Sequence, residues 1–248
     1  SLYIHVWPNA YKNGNSALAE QLEGEGKKLS MIDTAKLGGM SALDFKINGS
    51  AVSWSFHPKH EDIVLLKLAQ PLAPGKQLTL TTPFIVKIPS GSISRLGHIG
   101  QSYQITQWYP KPAVFDHKGW HPIPYLNQGE FYSEYGSFDV SITVPKNYVV
   151  GATGVLQNAS EASFLDSLAQ DTKTRISEII ALPGGNLRDS FPPSASEWKT
   201  LRYVQDKVHD FAWFADKRYK VLKGSVKLPE SGRNVTTWAL FTPANAAN

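Results

Sequence analysis

The stretch that decides the fold runs from Gln101 to Gly151: QSYQITQWYPKPAVFDHKGWHPIPYLNQGEFYSEYGSFDVSITVPKNYVVG. Strand-like runs stand at its two ends, Tyr103–Trp108 and Phe138–Val144. Between them lie four prolines and three glycines, together with Trp108, Tyr109, Phe115, Trp120, Tyr125, Phe131, Tyr132 and Tyr135. The prolines exclude a long helix and disfavour a central strand. A long irregular passage in a compact domain usually lines a site or a partner surface. Large rings order such a passage by burying area while their polar tips stay wet. The segment therefore reads as a shaped surface.

Outward from it, short strand candidates dominate. Leu2–Val6, Ala42–Asn48, Ala51–Phe56, Ile63–Leu68, Gln77–Ile88, Tyr148–Val150, Thr174–Leu182, Thr200–Val208, Ala212–Phe214, Tyr219–Val226 and Thr236–Thr242 all carry β-type patterns. Asn48-Gly49 is a hairpin signal, and Gln77–Ile88 is long enough for a central strand. Two short helices are expected. One follows the Asn15-Ser16 cap as far as Leu22, and Gly24-Glu25-Gly26 stops it. The other covers Ser160–Ala169, with Phe164, Leu165 and Leu168 on one face. The fold class is mainly all-β, a large bent sheet or sandwich with one or two short helices. Ser190–Ser196 is the candidate linker if there are two domains.

Composition narrows the function. Of the 248 residues 42% are hydrophobic and 19% charged, which suits a packed chain rather than a disordered one. The net charge of +4 is scattered, without the basic face that nucleic acid requires, so no nucleic-acid partner is expected. No apolar run has the length of a membrane span. Cysteine is absent, which removes disulfides and thiolate metal sites and leaves the redox compartment open. Ser1 opens within a strand pattern and the last residues follow another, so the chain reads as a piece of a longer protein.

No complete active site assembles from the motifs. His57 and His60 with Glu61 resemble a zinc motif in composition only, since no His follows Glu61 at the required distance. His117 and His121 can pair on a metal or substrate, or simply pack among the rings. Asp116, Glu130, Glu134 and Asp139 supply carboxylates whose separations sequence does not give. There is no nucleophile elbow and no phosphate loop. The three Asn-x-Ser/Thr sequons begin at Asn48, Asn158 and Asn234.

A resemblance enters on longer strings. HVWPNAYKN (His5–Asn13), GQSYQITQWYPKPAVFD (Gly100–Asp116), GWHP, GEFYSE, GSFDVSITVP and VHDFAWFAD (Val208–Asp216) are similar to the N-terminal domain of bacterial zinc metallopeptidases of the aminopeptidase N family. The likeness covers nearly the whole chain. It implies a noncatalytic β domain over residues 1–243, with 244–248 starting the connection to a missing zinc catalytic domain of the same chain. It also implies a peptide substrate and an exported location, periplasm or cell surface. Zinc is expected in the parent enzyme and no cofactor in this fragment, since the zinc-binding helix motif is absent from the 248 residues.

Residue by residue, Gln107 matches the family's glutamine at the pocket for the substrate's first side chain. Tyr109 departs from the acidic or amide residue that relatives often carry there, which puts ordinary aminopeptidase specificity in doubt. Trp108, Trp120 and His121 are the further cleft-lining candidates, and no catalytic or metal-binding residue is assigned. A rival reading is a carbohydrate-binding β-sandwich module using Trp108, Trp120, Tyr125 and Tyr132 as a stacking platform. A purely structural β module is the plainest alternative.

Overall fold

The computed structural model describes residues 1–129, 131–181 and 190–246. The chain is mainly β, 37% strand against 19% helix, in several antiparallel sheets. It divides into two compact units, residues 1–99 with 104–135, and 100–103 with 136–248.

In the first unit β1 (Leu2–His5) leads through a 3-10 turn (Trp7–Tyr11) into α1 (Ala17–Gly24). Ser16 caps α1, its Oγ accepting from the Ala19 N–H at 3.1 Å, as the sequence predicts. There follow β2 (Gly39–Ser41), β3 (Lys46–Ile47), β4 (Ser50–Ala51), β5 (Ser53–Phe56), β6 (Ile63–Lys67), β7 (Leu80–Thr81), β8 (Ile85–Lys87) and β9 (Gly97–Ile99). Then come β10 (Ser102–Ile105), whose first two residues are counted with the second unit, and β11 (Lys111–Pro112), β12 (Val114–Asp116) and β13 (Gly119–His121). The central sheet has the order β11-β1-β6-β5, with Ile4 opposite Val64 and Pro112. Its inner face packs Ile4, Val6, Val64 and Leu66 on Met40 and Phe45.

Asn48 and Gly49 form the two-residue turn between β3 and β4, both at positive φ (51° and 84°), the geometry of a tight hairpin. The expected long strand Gln77–Ile88 is instead two short ones. Pro83 has no N–H to give a ladder, so β7 pairs with β3 and β8 with β2 on either side of the break. The middle of the aromatic segment is also more regular than expected, because β12 and β13 form a hairpin within it.

The second unit contains β14 (Gly136–Pro145), β15 (Val149–Ala152), β16 (Val155–Leu156), α2 (Ala159–Thr174) and α3 (Ile176–Ala181). After these come β17 (Trp198–Val208), β18 (Trp213–Asp216), β19 (Lys220–Lys227) and β20 (Asn234–Phe241). One sheet has the order β14-β17-β16, β15 pairs with β18, and β19 pairs with β20. Helix α2 covers this last hairpin through Leu165 and Ala169, which pack with Val149 and Val221.

Three expectations change here. The strand expected over Thr174–Leu182 is helical as far as Ala181, and Leu182 lies outside the described residues. Ile176, Ile179 and Ile180 repeat at helical spacing, and Arg175 pairs with Asp171 and Glu178 at i−4 and i+3. Phe164 does not share the buried face of α2. It is 45% exposed beneath the Lys199 ammonium (5.3 Å), one helical step around from buried Leu165. Ser190–Ser196 is no free linker but is held inside the second unit. The Asn147 amide donates to the Pro193 carbonyl and accepts from the Ala195 N–H, and the Arg218 guanidinium lies 3.7 Å over Phe191.

Buried polar side chains order the first unit's proline-rich passage. In Pro122-Ile123-Pro124-Tyr125 only Ile123 and Tyr125 own a backbone N–H. His5 Nε2 accepts the first at 3.1 Å and Asp62 Oδ2 the second at 2.6 Å. Trp7 Nε1 donates back to the Ile123 carbonyl, and the Tyr11 hydroxyl donates to that of Tyr125 at 2.7 Å. Asn9 joins two further segments, accepting from the Met40 N–H and donating to the Glu61 carbonyl. Burial drives the His5 pKa down to about 3, aided by the nearby Lys111 charge, because a neutral ring is cheaper to desolvate than a cation. Burial raises the Asp62 carboxyl to about 6, against the lowering effect of the Tyr125 N–H.

The two groups act with opposite sign on stability. The raised Asp62 contribution is complete below its unfolded value of 3.8 and is lost as pH rises through about 6. The depressed His5 contribution is complete above 6.5 and is lost as pH falls towards about 3. Asp62→Asn keeps an acceptor for Tyr125 and removes the first dependence. Its stability relative to wild type should rise between pH 4 and pH 7 by on the order of 2–3 kcal/mol in denaturant titrations. A difference that stays flat across this range would contradict the assignment.

Candidate functional site

The residues read from the sequence fall in two places on the first unit. β10 ends at Ile105 and β11 begins at Lys111, where it pairs with His5 of β1. The chain must turn within the five residues between them, and Pro110 keeps Tyr109 out of the helical region. Gln107 takes up the turn with a left-handed backbone, φ +48°. For a residue with a Cβ this conformation costs roughly 1–2 kcal/mol. Gln107, Trp108 and Tyr109 are all half-buried. Trp108 and Tyr109 meet edge to face at 5.4 Å and 69°, Phe84 packs on Trp108, and the buried Lys111 ammonium lies 6.0 Å over the Tyr109 ring. The loop thus carries a glutamine with a strained backbone next to a supported pair of rings.

The second place is the β12–β13 hairpin. Gly119 turns it at φ +101°, and Asp116 Oδ1 accepts the Lys118 N–H at 2.8 Å. Phe115 stands opposite Trp120, while His121 stands opposite Val114. Neighbouring residues on a strand face opposite ways, so Trp120 and His121 do not share a surface. Trp120 packs with Phe115 and Tyr3, each at 56° between ring planes. His121 Nε2 is 2.8 Å from Asp116 Oδ1, and the Tyr132 hydroxyl donates to Asp116 Oδ2 at 3.2 Å. The His121 hydrogen bond holds the Asp116 carboxyl below the usual carboxylate range, with help from the Lys118 N–H. Tyr132's own hydrogen bond to the Asp116 carboxylate raises its hydroxyl. This carboxylate orients an imidazole, an arrangement that suits positioning and hydrogen-bond recognition.

The metal candidates do not assemble. Among the described residues no group of three His, Asp or Glu side chains converges. His57 and His60 stack at 5.2 Å across the β5–β6 connection, and the Glu61 carboxylate is taken by Lys12 and Asn13. His117 sits exposed in the hairpin turn while His121 is engaged by Asp116. Donors so arranged do not fit a zinc centre. The other carboxylates have separate fates. Asp139 forms a two-point pair with Arg202, Glu134 is exposed, and Glu130 lies outside the described residues.

Two of the proposed sugar-stacking rings change character. Tyr125 is fully buried and tied to Tyr11, because its N–H and hydroxyl both find partners inside, so it is no part of a platform. Trp120 meets its neighbouring rings at a steep tilt instead of lying coplanar with them. His5 and Asp62, which hold the passage in place, carry no motif, and their only signal was the Pro-x-Pro spacing whose N–H groups they accept. An open groove of about 450 Å³ lies in the second unit between α2 and the β19–β20 hairpin, lined by Asp166, Gln170, Lys173, Lys223 and Thr236. None of the residues singled out from the sequence lines it. Comparison with family models, curated proteins and solved structures found no match to the chain.

Proposed function

We propose that the chain is the noncatalytic N-terminal β domain of a zinc-dependent, aminopeptidase-like metallopeptidase. It covers the active-site cleft and contacts the amino end of the peptide substrate. Hydrolysis belongs to a catalytic domain outside these residues, which would carry the zinc ligands, and the parent enzyme is an exported one. The observation that carries this reading is Gln107. Its left-handed backbone holds a half-buried glutamine next to the packed Trp108–Tyr109 pair, at the position where the resemblance puts a substrate-contacting glutamine. Strain of this kind persists where the surroundings enforce it, most often at binding sites. Tyr109, with the Lys111 ammonium over its ring, stands where relatives often carry an acidic or amide residue, so the reading rests on Gln107 and preference for the first residue should differ from that of ordinary aminopeptidases.

In the full-length enzyme Gln107→Ala should raise KM about two- to tenfold, or reorder the preference for the first residue, the size expected for one lost hydrogen bond. Unchanged kinetics across substrates with different first residues would remove the assignment. In the 248-residue chain Gln107→Gly should raise the unfolding midpoint by relieving about 1 kcal/mol of strain, while weakening substrate in the full-length enzyme as Ala does. A lower midpoint would mean that the turn is not strained. Retention of the chain on an immobilised polysaccharide, lost on Trp120→Ala, would favour the carbohydrate-binding reading instead.

A further inference from the structure

We infer that β14 is the self-association edge of this protein, at which two copies pair their Gly136–Pro145 strands antiparallel into one continuous sheet. The inference concerns the second unit and does not depend on the proposed function. β14 is the outer strand of the β14-β17-β16 sheet, and β17 pairs with it along nearly its whole length. In an antiparallel ladder alternate residues turn their N–H and C=O groups away from the partner strand. Among the described residues no strand covers that second edge. From Asp139 to Val144 the hydrogen bonds beyond the β17 ladder are the side-chain pairs Asp139–Arg202 and Thr143–Thr200.

Natural sheets protect such an edge with lysines, prolines, bulges or short strands. β14 has none of these over most of its length. It runs for ten residues, its one irregularity lies at Gly136–Phe138, and proline comes only at its last position. From Ser137 to Val144 its single charge is Asp139, already neutralised by Arg202 at 2.8 and 2.6 Å. An edge left this open is suited to pairing.

The side chains indicate the occupant. Phe138, Val140, Ile142 and Val144 alternate with exposed Ser137, Asp139, Ser141 and Thr143. Self-pairing keeps apolar residues on one face only if each residue meets one of the same parity, since a one-residue slip exchanges the faces. Centring the pair on Ser141 satisfies this over the regular part of the strand, Phe138–Val144, and leaves the irregularity at Gly136–Phe138 at the rim of the overlap, whereas centring on Val140 would draw it in. Val140 then meets the second copy's Ile142, Phe138 meets Val144, and Asp139 meets the hydroxyl of Thr143. No like charges face each other, whereas centring on Asp139 would oppose two carboxylates. Such a contact is symmetric, with the same patch on both copies. An edge contact alone is small beside the roughly 1,200 Å² of a stable interface, so the dimer should be weak and concentration-dependent.

Sedimentation velocity of the 248-residue chain from low to high micromolar concentration tests the pairing. Wild type should shift towards a dimer. Ser141→Lys and Ser141→Glu each place like charges opposite one another at the centre of the pair, and each should weaken the dimer at least tenfold. Ser141 is exposed and stands opposite Arg202 on β17, so both variants should stay folded, Lys with a slightly lowered unfolding midpoint and Glu with one close to wild type. An equimolar mixture of the two should restore the dimer, because Lys then faces Glu. A wild type that stays monomeric throughout overturns the inference, including one that captures an extended foreign peptide at this edge. So do single variants that dimerise like wild type, or a mixture that stays monomeric.

Discussion

Two backbone N–H groups govern the first unit. Pro122 and Pro124 deprive the passage between them of any regular ladder, and the N–H groups of Ile123 and Tyr125 would be costly to bury unpaired. His5 and Asp62 accept them from β1 and from the residue before β6, so two neighbouring strands of the central sheet reach out to hold one irregular segment. The ring packing follows from that anchoring. Trp7 stacks on His5 at 4.4 Å, Phe131 packs on both Trp7 and Tyr125, and Arg95 lies over Phe131. The cost appears in the acid–base chemistry, where burial pushes an imidazole down and a carboxyl up.

A passage held so firmly can support strain beside it. Lys111 and Pro112 pair with His5 and Ile4, which fixes the far end of the turn that contains Gln107. The near end is fixed by β10, so the left-handed residue cannot relax without breaking one of the two. The surface that results is asymmetric, with Trp108 and Tyr109 at the turn and Trp120 and His121 on opposite faces of a hairpin. An amide, two supported rings and a carboxylate-oriented imidazole make a surface for recognising a ligand, and no set of reacting groups has formed among them.

The second unit is built on other principles. Its sheet uses long, regular strands whose polar face is laced by Asp139–Arg202 and Thr143–Thr200, and its helix covers a hairpin that would be marginal alone. Buried Asp216 holds Arg218 at two points, and Arg218 in turn covers Phe191, which ties the proline-rich stretch to β18. That stretch looked like a linker because prolines and serines are common in linkers. Its anchoring comes from residues remote in sequence: Asn147, Arg218, and Lys217, whose ammonium donates to the Pro192 carbonyl and the Ser194 hydroxyl.

Local patterns were enough to determine the class of the chain. Alternation marked most strands, Ser16 marked the start of α1, and Asn48-Gly49 marked a hairpin, because each signal acts within a few residues. The same locality explains the errors. Pro83 was outweighed by the apolar run around it, and isoleucines at positions 176, 179 and 180 suggested a strand until their helical spacing was satisfied by the pairs around Arg175. The candidate residues at Gln107, Trp108, Tyr109, Trp120 and His121 were legible as types. Tertiary structure alone decided that Trp120 and His121 point apart, that Asp116 and Tyr132 engage His121, that Tyr125 is buried, and that Gln107 is strained. The burial of Tyr125 and the strain at Gln107 depend on partners distant in sequence or on a turn whose two ends are fixed by different strands, while the facing of Trp120 and His121 and the Asp116–His121 bond follow once the β12–β13 hairpin forms, which the prolines around it disguise.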